Sequence, residues 1–261
     1  MSRLPIRVPA TVSRALTVTS CATALLAAAA SCSSPDEAPY EAPYEARDEA
    51  RGDAHAGPAP ESALRTYRFD DPSTQLDGWV AGTTNAEGTT ENAEWMVRAD
   101  DTAPSRGGSV ALVDPRGHVG QHFNLFWNTA PLLADVDVTV AVRRDGGVED
   151  QGGGPAWRIT GPNDYYAARW NPLEDNFRVY SIQGGQRLQL DSARVRVDPE
   201  QWHTIRVRQV GAAITCWFDG EELLHATDAE LAGPGAVGLW TKADATTRFD
   251  DLVVAAADAS R

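Results

Sequence analysis

Valine recurs at Val136, Val138, Val140 and Val142, alternating with Asp137, Thr139 and Ala141. A period of two marks a strand with one face in a core, because successive side chains point to opposite sides of the backbone. The alternation repeats at Trp95/Val97, Val110/Leu112, Phe123/Leu125, Leu188/Leu190, Val195/Val197, Ile205/Val207, Ile214/Cys216/Phe218 and Val237/Leu239. No helix-length window sustains apolar residues at i, i+3 and i+4, and Gly and Pro interrupt the runs. The pattern predicts an all-β, antiparallel sandwich or jelly roll over residues 64–256. Two similar segments, Tyr67-Arg68-Phe69-Asp70-Asp71 and Arg248-Phe249-Asp250-Asp251, predict first and last strands lying side by side.

If apolar residues face the core, their neighbours face out. Trp157 and Ile159 inward puts Arg158 outward; Phe177 and Val179 inward puts Asn176, Arg178 and Tyr180 outward. Val237 and Leu239 inward frees Trp240 and Lys242, and Ile214, Cys216 and Phe218 inward frees Trp217 while burying the Cys216 thiol. The strand at 165–171 reads either way, with Tyr165 and Arg169 on one face and Tyr166 and Trp170 on the other. The stretch 152–180 thus mixes Trp, Tyr, Arg, Asn and Glu more densely than any other. A pyranose needs such a mixture, an apolar surface for its ring face and forked donors for its hydroxyls. The alternative is the ordinary solvated side of an antiparallel sheet.

The chain ends differ from this domain. Arg3, Arg7 and Arg14 precede an apolar run from Ala15 to Ala30, too short to span a bilayer, that ends in small residues before Cys32. Residues 1–31 resemble a bacterial lipoprotein signal peptide, which implies lipidation at Cys32. Ser33, where an inner-membrane retention signal would carry Asp, points to the outer membrane of a Gram-negative cell. Ala29 stands where that family usually has Leu, Cys21 offers a second such site, and secretion without lipid is the alternative. Residues 32–63 repeat Ala-Pro-Tyr-Glu and lack large aliphatic side chains, so they predict a disordered acidic tether; 257–261 is a short tail. The whole chain carries 37 acidic and 23 basic residues, −14. Without the three signal arginines the balance is 37 against 20, or −17. That charge disfavours nucleic acid as a partner.

The segments GGGPAWRI, NDYYAARWNPLEDNFRVY, EQWHTIRV, FDGEELLHATD and AVGLWTKADATTRFDDLVV resemble concanavalin A-like bacterial proteins of the 3-keto-disaccharide hydrolase type, the domain of unknown function 1080 group. The resemblance is strongest from 152 to 254. It implies a jelly roll, export, and an oligosaccharide or glycan as partner. Substrate-binding candidates are Arg158, Arg169, Trp170, Asn176, Arg178, Tyr180, Trp217 and Trp240. Lys242 is the one lysine beside 22 arginines; a lysine can give up its proton and act as a base where arginine cannot. Cleavage of a 3-keto glycoside would use it, because the ketone acidifies the C2 proton. Glu174 and His203 are further candidate bases, Arg158 or Arg169 would stabilise the enolate, and an ion pair with Asp244 is the other reading of Lys242. No cofactor is expected. Asp70, Asp250 and Asp251 could gather at a structural calcium, and His118/His122 lack a third ligand for a transition metal. The competing function is a non-catalytic glycan-binding or structural envelope module.

Overall fold

The computed structural model describes residues 63–71, 76–86 and 91–258. The stretch expected to hold a signal peptide, Cys32 and all of the expected tether but Ala63 lie outside them. The strands are β1 (Ala63–Tyr67), β2 (Trp79–Thr84), β3 (Glu94–Asp100), β4 (Gly107–Asp114), β5 (Phe123–Leu133), β6 (Val136–Gly146), β7 (Gly154–Gly161), β8 (Asp164–Asn171), β9 (Asn176–Gln183), β10 (Gln186–Arg194), β11 (His203–Val210), β12 (Ala213–Phe218), β13 (Glu221–Thr227), β14 (Gly235–Lys242) and β15 (Thr246–Ala256). They form two antiparallel sheets of a jelly-roll sandwich. The first runs β13-β12-β11-β6-β15-β4-β3, with β1 also on β15; the second runs β10-β9-β8-β7-β14-β5-β2. No helix long and apolar enough to cross a membrane occurs among the described residues.

The valine alternation becomes β6, whose Val138 and Val140 stand opposite Val207 and Ile205 of β11. These residues, with Ile214, Cys216 and Phe218, meet Trp157, Tyr166, Trp170, Phe177, Val179, Val237 and Leu239 of the second sheet in the central core. Cys216 is free and buried, as its pattern required. The two Asp-Asp segments also behave as expected. Tyr67 pairs with Leu252 and Ala63 with Ala255, so β1 and β15 are neighbours.

The second sheet departs from the simple sandwich. Its other face carries a second buried apolar layer, with Phe123, Leu125, Tyr165, Tyr180, Ile182 and Trp240. The alternation correctly separates Trp240 from Leu239 and Tyr180 from Val179, but the face expected in solvent is covered. Trp157, Trp170 and Trp240 are all fully buried. Part of the cover is a clasp at Asn85, whose amide donates to the carbonyls of Gln121 (3.2 Å) and Gly185 (3.0 Å) while its backbone N–H donates to the Asn163 side chain.

The glycines before β7 make room for this sheet. Gly152 has φ +70°, and Gly153 exchanges two backbone hydrogen bonds of 3.0 Å with Trp170. A Cβ on Gly154 would sit 2.1 Å from the Ala168 carbonyl oxygen, and one on Gly153 2.4 Å from that of Trp240. These are backbone atoms in neighbouring strands and cannot swing away. Gly154→Ala is therefore expected to lower unfolding free energy by about 3 kcal/mol, the upper part of the overpacking range. Urea unfolding of the variant beside wild type checks it; coincident curves would mean that β7 shifts without cost.

Candidate functional site

The turn between β14 and β15 is built around Asp244. Its carboxylate accepts the backbone N–H groups of Val148 (2.7 Å), Glu149 (3.1 Å) and Asp150 (2.9 Å). Burial alone would raise its pKa, but those amides hold it below the usual carboxylate range. The bonds pin the loop after β6 so that the Asp150 side chain turns inward, where it is 1% exposed. Asp150 receives hydrogen bonds from Arg169 Nη2 and from Asn171 Nδ2 (3.2 Å), and it pairs with Lys242 Nζ at 3.2 Å. Lys242 is thus ion-paired, with Asp150 rather than Asp244. Asp244 acts one step back by placing that partner.

Arg169 of β8 stands directly opposite Arg178 of β9. Like charges in that register repel, so they need local compensation. Asp150 supplies it for Arg169. Glu174, in the turn between the two strands, accepts from Asn176 Nδ2 (2.8 Å) and Arg178 Nη1 (3.3 Å). Burial would raise the Glu174 pKa, but Arg169, the Asn176 amide, Arg178 and Lys242 hold it low. Burial would lower that of Arg169, and Asp150, Tyr180 and Glu174 overcome it.

Several polar atoms here are buried and unmatched. Among the described residues, Arg169 Nε and Nη1, Asn176 Oδ1, the Tyr180 hydroxyl and Arg187 Nη1 make no hydrogen bond. Buried polar groups are ordinarily paired, so five on one face call for an explanation. The apolar floor beside them is Trp240, tilted on Phe123 at 5.2 Å and donating its indole N–H to the Tyr165 hydroxyl (2.9 Å).

Residues 68–255 match the 3-keto-alpha-glucoside-1,2-lyase-like domain. The chain belongs to this family. Among solved structures, a carbohydrate-binding module, CBM66, from Bacillus subtilis is similar at 15% identity and a TM-score of 0.53, over 69% of this chain and 96% of that one. A Bacillus subtilis protein of unknown function with a galectin-like fold is similar at 9% identity and a TM-score of 0.51, over 75% and 96%. At such identities both likenesses concern the fold. A search of the curated proteins finds no match.

In this lyase-like domain, Lys242, Glu174, Arg169, Asn176, Arg178 and Tyr180 come together as one cluster with Trp240 beside it. Four other candidates do not join them. Arg158 has φ +49° and is the extra residue of a bulge in β7. The bulge sends Ile159 to the outer layer while Trp157 stays in the core, so Arg158 is not outward. It is 1% exposed and donates to the carbonyls of Ala134, Leu231 and Gly211. Trp170 points into the central core, edge-on to His203. Trp217 lies in the first sheet under the Arg206 guanidinium, 4.8 Å from it. His203 pairs with Asp219 (2.7 Å) and the Asp198 carbonyl (2.8 Å), likewise in the first sheet.

Two of the three possible calcium ligands have other partners. Asp250 accepts both the amide and the hydroxyl of Ser105, and burial pushes its carboxyl up to about 6. Asp251 faces Arg68 at 3.9 Å. Among the described residues no group of three or more His, Cys, Asp or Glu side chains is placed to hold a metal ion. His118 bridges the Asn124 side chain and the Glu91 carbonyl. Asp150, Asn171 and Arg187 were missed by sequence reasoning. Arg187 was findable, because Leu188/Leu190 alternation puts it opposite those leucines.

His203 gives a pH dependence. Burial would lower its pKa, but the Asp219 carboxylate and the Asp198 carbonyl raise it above the ordinary value. A raised folded value stabilises the fold fully below the unfolded pKa of about 6.5 and loses that contribution as pH climbs through the raised value. Urea unfolding across that range should show wild type ahead of His203→Gln by most at the acid end, with the gap closing as pH rises.

Proposed function

We propose that the lyase-like domain binds a 3-keto glycoside over the Arg169–Tyr180–Lys242 face and cleaves it by elimination. The observation that carries this reading is the group of unmatched buried atoms, four donors and one acceptor, set beside paired charges and an indole floor. A saccharide brings oxygen acceptors, hydroxyl donors and an apolar ring face. In this reading Arg169 Nε and Nη1 and the Tyr180 hydroxyl receive the substrate's ketone oxygen, where enolate charge develops. Glu174, held ionised by its cationic neighbours, takes the C2 proton. The C2–H electron pair becomes the C1–C2 double bond, the C1–O bond breaks, and the departing oxygen takes a proton from the Lys242 ammonium. Products are an unsaturated 3-keto sugar and the free alcohol, and later addition of water to the former makes the net change a hydrolysis. The Lys242–Asp150 ion pair favours lysine as the acid and Glu174 as the base.

The enone product absorbs in the near ultraviolet, so turnover can be followed directly. Glu174→Gln and Lys242→Met are each expected to lower kcat/KM by about 100-fold or more, within the usual range for a proton-transfer group. Rates equal to wild type would refute these roles. Saccharide binding with no turnover in wild type would leave a glycan-binding module.

We also infer export and lipid anchoring at Cys32, with residues 32–63 as tether and the outer membrane as destination. The basic, apolar and small-residue order of residues 1–32 supports this. Incorporation of labelled palmitate, with recovery in the outer-membrane fraction, is the expected result for wild type. Cys32→Ser should abolish both; label retained in that variant would point to Cys21.

A further inference from the structure

Arg187 is the cation that the proposed reaction leaves unexplained. It lies on β10 opposite Ile182, a residue of the outer apolar layer. Its guanidinium sits 4.6 Å over the Tyr180 ring and 5.3 Å over the Phe123 ring. Those ring contacts hold a cation in place. No carboxylate pairs with Arg187 among the described residues, and its Nη1 is buried without a hydrogen bond. On the other side of Tyr180, fully buried Arg169 has two N–H groups unmatched.

The local charges do not balance. Glu174 pairs with Arg178 and Asp150 with Arg169 and Lys242, whereas no ion pair among the described residues includes Arg187. This surplus of positive charge stands in a chain whose net charge is −14. Neutral hydroxyls could satisfy the free N–H groups, but they would leave the surplus in place. Arg187 is only partly buried, but its buried Nη1 lacks a partner, and arginine recognises planar carboxylates with particular strength.

We propose that the saccharide taken at this face is acidic, a uronic acid residue whose carboxylate is received over Tyr180 by Arg187, while Arg169 and the Tyr180 hydroxyl keep the ketone oxygen. This rests on the reading of the cluster as the saccharide site and narrows its substrate class from neutral to carboxylate-bearing sugars. Arg187 is then a specificity-determining residue and takes no part in proton transfer.

Calorimetric titration of the full chain with the methyl α-glycosides of glucuronic acid and of glucose, and with methyl α-glucoside 6-sulfate, tests it. The uronide should bind at least tenfold more tightly than the glucoside and more tightly than the sulfate. Its affinity should fall with added salt while that of the glucoside stays level. Arg187→Met, which keeps the stem against the rings, should reduce the uronide-to-glucoside ratio about tenfold, and Arg187→Lys should restore part of it. The salt dependence of wild type decides the matter even if the Met variant does not fold. Equal binding of uronide and glucoside would overturn the acidic assignment and leave the saccharide site standing. Sulfate binding as tightly as the uronide would overturn the carboxylate in favour of any anion. Failure of all three to bind would overturn the acidic assignment, and turnover of a 3-keto glycoside measured beside them tells whether the saccharide site stands.

Discussion

Two guanidinium-bearing strands can lie side by side only if something neutralises them; Glu174 answers Arg178, and for the fully buried Arg169 that something is the carboxylate of Asp150. Bringing an ion out of water costs several kcal/mol even after the protein relaxes, and breaking a buried pair typically costs about 3–5 kcal/mol. Asp150 meets Arg169, Asn171 and Lys242 at once, while a second aspartate, Asp244, fixes the loop that delivers it. The two acids therefore divide the task. One holds backbone amides and never touches the cluster's side chains; the other is surrounded by them. The Gly152–Gly154 run serves the same arrangement, because only bare backbone fits between the carbonyls of Ala168 and Trp240 just after that loop.

Much of the fold was legible as alternation, because a sandwich with one wet and one dry face writes itself as a period of two. The valines of β6, the Ile214/Cys216/Phe218 face and the neighbouring first and last strands follow from that rule. Periodicity could not tell a solvated face from a second buried layer. Tyr180 and Trp240 look the same in either setting, since aromatic residues with one polar atom suit both. Their burial depends on what lies above them, and the clasp at Asn85 joins positions up to 100 residues apart.

The failures at single residues have separate physical causes. Arg158 went to the wrong face because one inserted residue at a left-handed φ resets the alternation beyond it, and no Gly or Asn marks the place. Trp170 was an even choice between two faces, settled by Arg169 finding Asp150 on the opposite side. Trp217 was on its proper outer face, but of the other sheet, which strand-by-strand reading cannot distinguish. Lys242 stood out for a compositional reason, as one lysine among arginines, and the structure places it in the cluster beside Asp150.

The pairing of β1 with β15 has a topological consequence. Ala63 and Ala255 are cross-strand partners, so the first and last strands of the domain begin and end together on one sheet. The chain thus enters and leaves the sandwich at one place, a seam on the first sheet. Nothing in the packing of the outer apolar layer or of the charged cluster depends on the seam being there. A short linker across the seam, with a new break in an exposed turn such as Asp219-Gly220 in the first sheet, would leave the same wall around the same site. The charged cluster depends on which strands are neighbours, and the position of the seam is incidental to it.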